Sequence, residues 1–201
     1  MNYLLLSKKI SHALRHEPEK YGLELEENGW CDLECLISGI NSLFPDLGEV
    51  SRHHIEYVVN IFGKKRHEIS GNKIRALYGH SIQVEIGLKS IQPPDILFHG
   101  TCKESGANII VDGIRKMDRQ FVHLFSNVED ASIISRRRGG EKTIVEVNSC
   151  KAFRDGLLFF RAGHVWLTVY VPSIYIKSHL SKTFSYWGKK NEVGSGRIRY
   201  V

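Results

Sequence analysis

Short apolar segments dominate the part of the chain that follows Pro93-Pro94. They predict six short strands, at Ile96–His99, Phe121–Phe125, Lys142–Val147, Leu157–Phe160, Val165–Val169 and Ile174–Ile176. Only two helices are predicted between them, over Lys103–Val111 and Val128–Ser135. A doubly wound fold alternates strands with longer helices, so this pattern instead predicts a twisted or split β-sheet. The sequence has neither a Gly-x-Gly-x-x-Gly fingerprint after a strand nor a P-loop, so a nucleotide would have to bind in another way.

The residues before Pro93 have a different pattern, in which three helices are predicted together with a few short strands. Helices are predicted from about Leu4 to Arg15, from the N-cap Asp32 to about Leu43, and after Ser51. Strands are predicted at Gly22–Leu25, Arg66–Ile69 and Lys73–Tyr78, with turns at Asn28-Gly29 and Gly71-Asn72. Three helices, a small strand and a terminal hairpin are typical of a winged helix. Such a lobe is common in DNA-binding modules and does not by itself indicate an enzyme.

We therefore expect an α+β protein of 201 residues with two lobes and a tail. The winged-helix-like lobe would span residues 1–92, the split β-sheet lobe residues 93–180, and the tail residues 181–201. The tail is basic, and Phe184, Tyr186, Trp187 and Tyr200 are interleaved with its cations. It is either a loosely ordered, solvated end or a segment that stacks on RNA.

Composition favours a soluble, cytoplasmic protein with an anionic partner. No apolar run approaches the roughly 18 residues that span a membrane, and the apolar opening Leu4–Leu6 is too short for a signal peptide. The net charge of +6 is compatible with nucleic acid, a nucleotide or a membrane surface. Cys31 and Cys35 could form half of a zinc site, but no further ligands can be nominated. Buried structural thiols are favoured and no metal is expected.

Cationic clusters and glycine-containing polar triplets stand at the ends of predicted elements. The clusters are Arg15-His16, Lys64-Lys65-Arg66-His67, Arg119 and Arg136–Arg138; the polar residues are Gly79-His80-Ser81, His99-Gly100-Thr101, His123 and Ser126. Arginine donates in a planar, bidentate fashion that suits phosphate, and glycine lets the backbone approach a ligand closely. The pattern predicts a site for a phosphorylated ligand. In the alternative interpretation His16 closes a helix, Arg136–Arg138 is a solvated helix end, and His99 and His123 are core residues.

The sequence resembles the RNA 2′-phosphotransferases, the KptA family, from about Ser7 to Thr168. The matching segments are Leu14-Arg15-His16-Glu17-Pro18 with Gly22-Leu23 and Asn28-Gly29-Trp30, Lys64-x-Arg66, Ile74-Arg75-Ala76, Gly79-His80-Ser81, Phe98-His99-Gly100-Thr101, Arg119-x-x-Val122-His123-Leu124 and Val165-Trp166-Leu167-Thr168. The resemblance implies that the second lobe has an ADP-ribosyltransferase fold and binds NAD as co-substrate, and that RNA phosphate binds between the lobes.

The resemblance also implies a two-step reaction. The RNA 2′-phosphate, classically at a tRNA splice junction, first displaces nicotinamide from NAD, which leaves RNA carrying a 2′-phospho-ADP-ribosyl group. The ribose 2″-hydroxyl then attacks phosphorus, releasing RNA with a 2′-hydroxyl and ADP-ribose 1″,2″-cyclic phosphate. No membrane and no obligatory protein partner are implied.

By motif match, Arg15, Lys64, Arg66 and Arg119 form the catalytic phosphate-binding tetrad, and His16 joins Arg15 and Arg66 at the RNA phosphate. His99, Gly100, Thr101, His123 and Ser126 are matched to the NAD site, and Gly79-His80-Ser81 closes it from the other lobe. The late strand at Val165-Trp166 carries no acid, unlike that of many protein-modifying ADP-ribosyltransferases. A phosphate is already ionised at neutral pH, so an arginine cage can replace that carboxylate.

Some residues depart from the family pattern, and two other functions stay open. Tyr78 replaces a usual glutamine and His67 replaces an aromatic residue, and either Lys64 or Lys65 could be the lysine of the tetrad.

The same cage of cations could serve ADP-ribosylation of terminal phosphates on RNA or DNA. A non-catalytic module that binds nucleic acid or senses NAD is the third possibility.

Overall fold

The computed structural model describes residues 1–85, 87–135 and 142–180. The Arg136–Arg138 cluster and the 181–201 tail lie outside the described residues, and so do the predictions made for them. Within the described ranges the chain forms six α-helices and eleven strands, all paired antiparallel. None of the helices in these ranges has both the length and the apolar character needed to cross a membrane. The mixed helix and antiparallel sheet content agrees with the predicted α+β class.

The first part of the chain packs three helices against a small sheet. The helices are α1 (Tyr3–Arg15), α2 (Leu33–Leu43) and α3 (Arg52–Asn60); the strands are β1 (Cys31–Asp32), β2 (His67–Ser70) and β3 (Lys73–Ala76), in the order β1-β3-β2. The Asp32 side chain accepts a hydrogen bond from the Cys35 amide (2.9 Å), which confirms the predicted N-cap of α2. Their apolar faces form one core that includes Leu6, Ile10, Leu14, Leu36, Ile40, Ile55 and Ile74.

The strand predicted at Gly22–Leu25 is wrong. A 3-10 turn at Pro18–Tyr21 ends at Gly22, whose φ of 68° is left-handed, and the residues that follow pair with no strand. Leu23 is buried in the helical core and Leu25 packs against it. The alternation of apolar residues therefore reflects packing under the helices and not membership of a sheet.

The second part of the chain is built on a six-stranded antiparallel sheet in the order β11-β7-β4-β6-β9-β8. Its strands are β4 (Leu97–Cys102), β6 (Val122–Phe125), β7 (Lys142–Val147), β8 (Phe160–Ala162), β9 (Val165–Thr168) and β11 (Ile176–Leu180), and its helices are α4 (Lys103–Asp112), α5 (Val128–Ser135) and α6 (Ser149–Arg154). A separate two-stranded ribbon pairs β5 (Ile114–Arg115) with β10 (Tyr170–Val171). The helix over Val128–Ser135 and the strand over Lys142–Val147 match their predictions.

Two predicted strands of this half require correction. The segment Leu157–Phe160 enters the sheet only at Phe160, because the Leu157 amide still bonds to the Ala152 carbonyl (2.9 Å) behind α6. Ile174 lies in a 3-10 turn over Ser173–Tyr175 that follows Pro172, and β11 begins at Ile176. The strands β5 and β10 and the helix α6 were not predicted, since two-residue strands and a six-residue helix carry too little periodicity.

Alternate residues of the same strands enter two different apolar clusters. Leu124, Val145 and Trp166 belong to one cluster, and their neighbours Phe125, Ile144 and Leu167 belong to the other. Successive side chains of a strand point to opposite faces, so the clusters cover the two faces of the sheet. The second cluster also includes Tyr78 and Ala131 of α5. This face of the sheet is therefore the one that meets the segment leading out of the first core.

Candidate functional site

A cleft of about 380 Å³ brings together the four cations matched to the tetrad. Its lining consists of Arg15, Gly63, Lys64, Arg66, Tyr78, Arg119, His123, Phe125, Asp130, Ile133 and His164. Arg15 ends α1, Lys64 and Arg66 lie between α3 and β2, and Arg119 lies between β5 and β6. Distant parts of the chain thus supply one concentrated patch of positive charge.

Arg15 is held firmly although it carries charge. It is only 8% exposed, and its Nη2 donates to the carbonyl oxygen of Arg66 (3.4 Å). Its guanidinium also lies 5.1 Å from the centre of the Tyr78 ring, a cation–π arrangement. The ring of Tyr78, which departs from the family pattern, therefore helps to hold the Arg15 guanidinium in the cleft.

The segment Gly79–Ser81 connects Arg15 to Arg119. The Ser81 amide donates to the Arg15 carbonyl (3.0 Å), and Arg119 Nη1 donates to the Gly79 carbonyl (3.5 Å). Gly79 has a φ of 92°, and a Cβ there would come within 2.9 Å of Arg119 Nη1 and 3.4 Å of Arg15 Nη1. Glycine is favoured here because an L side chain would be strained at this φ, and its Cβ would also displace the Arg119 guanidinium.

His16 and His80 lie beside this segment but in different environments. His16 is the C-cap residue of α1, and its Nδ1 is 2.9 Å from the Ser81 hydroxyl. Burial, and then Arg119 and Arg15, lower the pKa of His16. His80 is 1% exposed, and within the described part of the chain neither of its ring nitrogens has a hydrogen-bond partner. Burial, followed by Arg15, lowers the pKa of His80 to about 4. The described residues that line the clefts do not include Gly79, His80 or Ser81. Their predicted contact with NAD therefore stays a prediction.

A second cleft, of about 260 Å³, adjoins the first and shares Arg119 and His123 with it. Its polar lining includes His99, Thr101, Ser105, Asn108, Arg115 and Lys116. His99 Nδ1 donates to the His123 carbonyl (3.0 Å), which joins β4 to β6 across the floor of the site. His99, Thr101 and His123, predicted from motifs far apart in the chain, are thus brought together.

His123 presents an unsatisfied polar atom where the two clefts meet. Its Nε2 is buried and has no hydrogen-bond partner among the described residues. Burial, and then Arg119 and Arg15, lower the pKa of His123 to about 3, so the imidazole is neutral at physiological pH. An unpaired buried nitrogen costs free energy unless a ligand satisfies it.

Comparison with known proteins identifies the family of this chain. The model of the family described as RNA 2′-phosphotransferase, Tpt1 / KptA family, matches residues 2–170. The chain belongs to this family. It is 39% identical over 178 residues to a probable RNA 2′-phosphotransferase of Acetivibrio thermocellus, covering 88% of this chain and 97% of that protein. It is 41% identical over 179 residues to a protein of the same name from Flavobacterium johnsoniae, covering 86% and 94%.

In this family member, Lys64 forms an ion pair with Asp130 of α5. Lys65, the alternative lysine, is exposed and is not among the residues that line the cleft. Asp130 was not predicted, because an acid in the first turn of a helix is ordinary and gives no functional signal.

His164 was also missed. It follows Gly163 in the β8–β9 turn and lines the tetrad cleft, with its ring 5.8 Å from Tyr78 and 6.4 Å from Phe125. Burial, Lys64 and Arg66 lower the pKa of His164, and Asp130 acts in the opposite direction. Its neighbours in the sequence contain no polar pattern that marks it as a site residue.

Gly100 and Ser126 lie outside the described lining of both clefts. A Cβ at Gly100 would collide with the Ala131 carbonyl, so this glycine lets α5 approach β4. The Ser126 hydroxyl accepts a hydrogen bond from the Trp166 indole (3.0 Å). These contacts explain both residues structurally, and their roles toward NAD stay predictions.

The two cysteines with helical spacing differ in exposure. Cys31 is buried, and its thiol lies 3.6 Å from the Ile74 carbonyl, whereas Cys35 is exposed. Burial is the largest cause that raises the pKa of Cys31, to about 12. Among the described residues no group of three or more potential ligands is arranged to hold a metal.

Proposed function

We propose that this protein is an NAD-dependent RNA 2′-phosphotransferase. It would transfer an internal RNA 2′-phosphate, classically at a tRNA splice junction, to NAD. The products would be RNA with a 2′-hydroxyl, nicotinamide and ADP-ribose 1″,2″-cyclic phosphate, formed through RNA whose 2′-phosphate carries ADP-ribose. The observation that carries the proposal is the cleft lined by Arg15, Lys64, Arg66 and Arg119, which adjoins a second polar cleft through Arg119 and His123.

In this proposal the four cations bind the 2′-phosphate and hold it for attack. A phosphate monoester is largely a dianion at neutral pH, so it needs a charged cage and no general base to act as a nucleophile. The same cations would offset the charge that develops on phosphorus in the second step. His16, hydrogen-bonded to Ser81 beside Arg15, would contact the RNA next to its phosphate.

The second cleft fits the nicotinamide ribose and diphosphate of NAD. NAD would supply an electrophilic ribose carbon and the neighbouring hydroxyl. His123 is neutral and has an unsatisfied buried nitrogen, so it would exchange a hydrogen bond with the ligand without repelling a positively charged nicotinamide ring. Thr101 and His99 line the same cleft, and Arg115 and Lys116 would neutralise the diphosphate.

The architecture proposed with this function has a winged-helix-like RNA-binding lobe over residues 1–92 and an ADP-ribosyltransferase-type lobe over residues 93–180. The first apolar core is built from residues before Tyr78, which supports this division. We further propose that the protein acts in the cytoplasm and needs no protein partner or metal for the reaction.

The test is one incubation of the purified protein with NAD and a short RNA that bears one internal 2′-phosphate, analysed by mass spectrometry. Loss of the phosphate together with release of ADP-ribose 1″,2″-cyclic phosphate is the expected result. Unchanged RNA from folded protein would overturn the proposal. A parallel RNA with a terminal phosphate then decides between the remaining functions: stable addition of ADP-ribose would indicate a terminal-phosphate ADP-ribosyltransferase, and binding without nicotinamide release would indicate a non-catalytic module.

A further inference from the structure

One carboxylate stands among the cations of the tetrad cleft. Of the described residues that line this cleft, Asp130 is the only acid, and its side chain is 18% exposed. It forms an ion pair with Lys64, which approaches from the segment between α3 and β2. A site for a dianion therefore contains a carboxylate that is paired with one of its four cations.

The fold determines where this carboxylate lies. The Asp130 amide donates to the Asn127 side chain (2.8 Å), which fixes the first turn of α5. The missing side chain of Gly100 lets the next residue, Ala131, pack against β4. The ion pair with Lys64 then joins α5 to a residue 66 positions earlier in the chain. Asp130 is thus held at the cleft by its helix and does not reach it by chance rotation of a surface side chain.

A phosphate that enters this cleft meets opposing effects. Lys64 attracts it, but Lys64 is already neutralised by Asp130, and the carboxylate itself repels the dianion. A unit charge several ångströms from a dianion changes its affinity by about ten-fold or more, even with considerable screening. The freedom that Lys64 would gain without its partner has a smaller, opposite effect. Removing the carboxylate should therefore strengthen phosphate binding.

We propose that Asp130 is a resident counter-ion that holds Lys64 in the cleft and competes with phosphate for it. Asp130 is a positioning residue, since it acts on the phosphate through Lys64 and takes no part in bond making. Competition of this kind keeps phosphate binding reversible and allows a phosphorylated product to leave. The inference rests on the proposed function, in which this cleft receives the RNA phosphate. His164 lines the same cleft, and its pKa is lowered by burial and by Lys64 and raised by Asp130.

The experiment measures binding of inorganic phosphate to the full-length protein by calorimetry at two salt concentrations. Asp130→Asn should bind phosphate about ten-fold more tightly than wild type, with a steeper salt dependence. Glu129→Gln is the matched control, because Glu129 lies in the same first turn of α5, carries the same charge and is exposed outside the cleft lining. It should leave phosphate affinity unchanged, and Asp130→Glu should restore wild-type affinity.

Turnover supplies a second measurement that a purely structural role would not change in the same way. Asp130→Asn should lower both KM for the 2′-phosphorylated RNA and kcat, since tighter binding slows product release. Thermal melting shows whether the variant folds, and Asp130→Ser replaces it if Asp130→Asn does not. Unchanged or weaker phosphate binding by a folded Asp130 variant would overturn the inference while leaving the proposed function standing. Wild-type protein that binds no phosphate would overturn the assignment of the cleft and the inference with it.

Discussion

At the scale of single residues, the charges of this site are controlled by neighbours that are distant in the sequence. Arg15 is 8% exposed yet keeps contacts with the Arg66 carbonyl and the Tyr78 ring. Two nearby histidines, His80 and His123, are kept neutral mainly by burial and then by the adjacent arginines. These two imidazoles therefore add no positive charge to the site at neutral pH.

Arg119→Ala should nearly abolish removal of the 2′-phosphate and leave the fold intact. Arg119 lines both clefts and is exposed, so its loss removes a donor from the phosphate without opening a core. The single-turnover rate should fall by about 100-fold or more. Arg154→Ala, an exposed arginine of α6, is the control and should keep wild-type activity. Near wild-type turnover in Arg119→Ala would remove this residue from the tetrad.

The burial of His80 predicts a loss of stability in mild acid. The pKa of His80 falls from 6.5 to about 4 in the folded protein, so the unfolded chain gains a proton below pH 6.5 that the folded chain does not take up. The contribution of neutral His80 to the free energy of unfolding is fully present above pH 6.5 and is lost as the pH falls toward 4. At pH 5 the loss from this residue is about 2 kcal/mol. His67 and His123, whose pKa values are also lowered, act in the same direction.

Urea unfolding at pH 8 and pH 5 measures this effect. His80→Leu should lose less stability between the two pH values than wild type does. His53→Gln, at an exposed position of α3, should keep the wild-type difference. An equal pH dependence in wild type and His80→Leu would show that His80 does not stay neutral in the folded protein.

At the scale of secondary structure, the position of α5 decides the chemistry of one cleft wall. The helix lies against β4 at Gly100 and carries Asp130 and Ile133 into the cleft lining. The strand β6, which precedes it, carries His123 and Phe125 into the same lining. A strand, a short turn and a helix thus supply much of one side of the site.

Gly100→Ala tests this contact. The added Cβ would collide with the Ala131 carbonyl, so α5 must move and the unfolding free energy should fall by about 3 kcal/mol. Gly106→Ala is the matched control, because its Cβ would approach a side-chain methyl of Thr143 (3.0 Å) and not a backbone atom, and alanine favours the helix. Denaturant unfolding of both variants gives the comparison. Equal stabilities would show that α5 can retreat from β4 at little cost.

At the scale of the whole molecule, the cleft lies where the helical core ends and the six-stranded sheet begins. Arg15, Lys64 and Arg66 come from the first part of the chain, and Arg119, His123, Asp130 and His164 from the second. The net charge of +6 adds a general attraction for RNA to this local patch. Binding of RNA should therefore depend both on contacts with one phosphate in the cleft and on long-range attraction by the positive net charge.

The affinity for 2′-phosphorylated RNA should fall steeply between 50 and 200 mM salt, where each phosphate contact contributes a log–log slope of about −0.7. Arg66→Ala should make this slope shallower by about 0.7, whereas Arg154→Ala should not change it. Fluorescence anisotropy with a labelled RNA measures both slopes. An affinity that does not depend on salt would contradict a cationic RNA site.

The sequence by itself determined the α+β class, the family and most helices and strands, including α2 with its Asp32 cap and α5. These features depend on periodicity, capping residues and motifs, which are local properties of the chain. It misread Gly22–Leu25 and Ile174, where a proline turn and packing against another element override local alternation. Only the tertiary structure decided that Lys64 meets Asp130, that His164 lines the cleft, and that His80 is buried beside the site. Burial and electrostatic interaction depend on distances between residues far apart in sequence, and those distances exist only after the chain has folded.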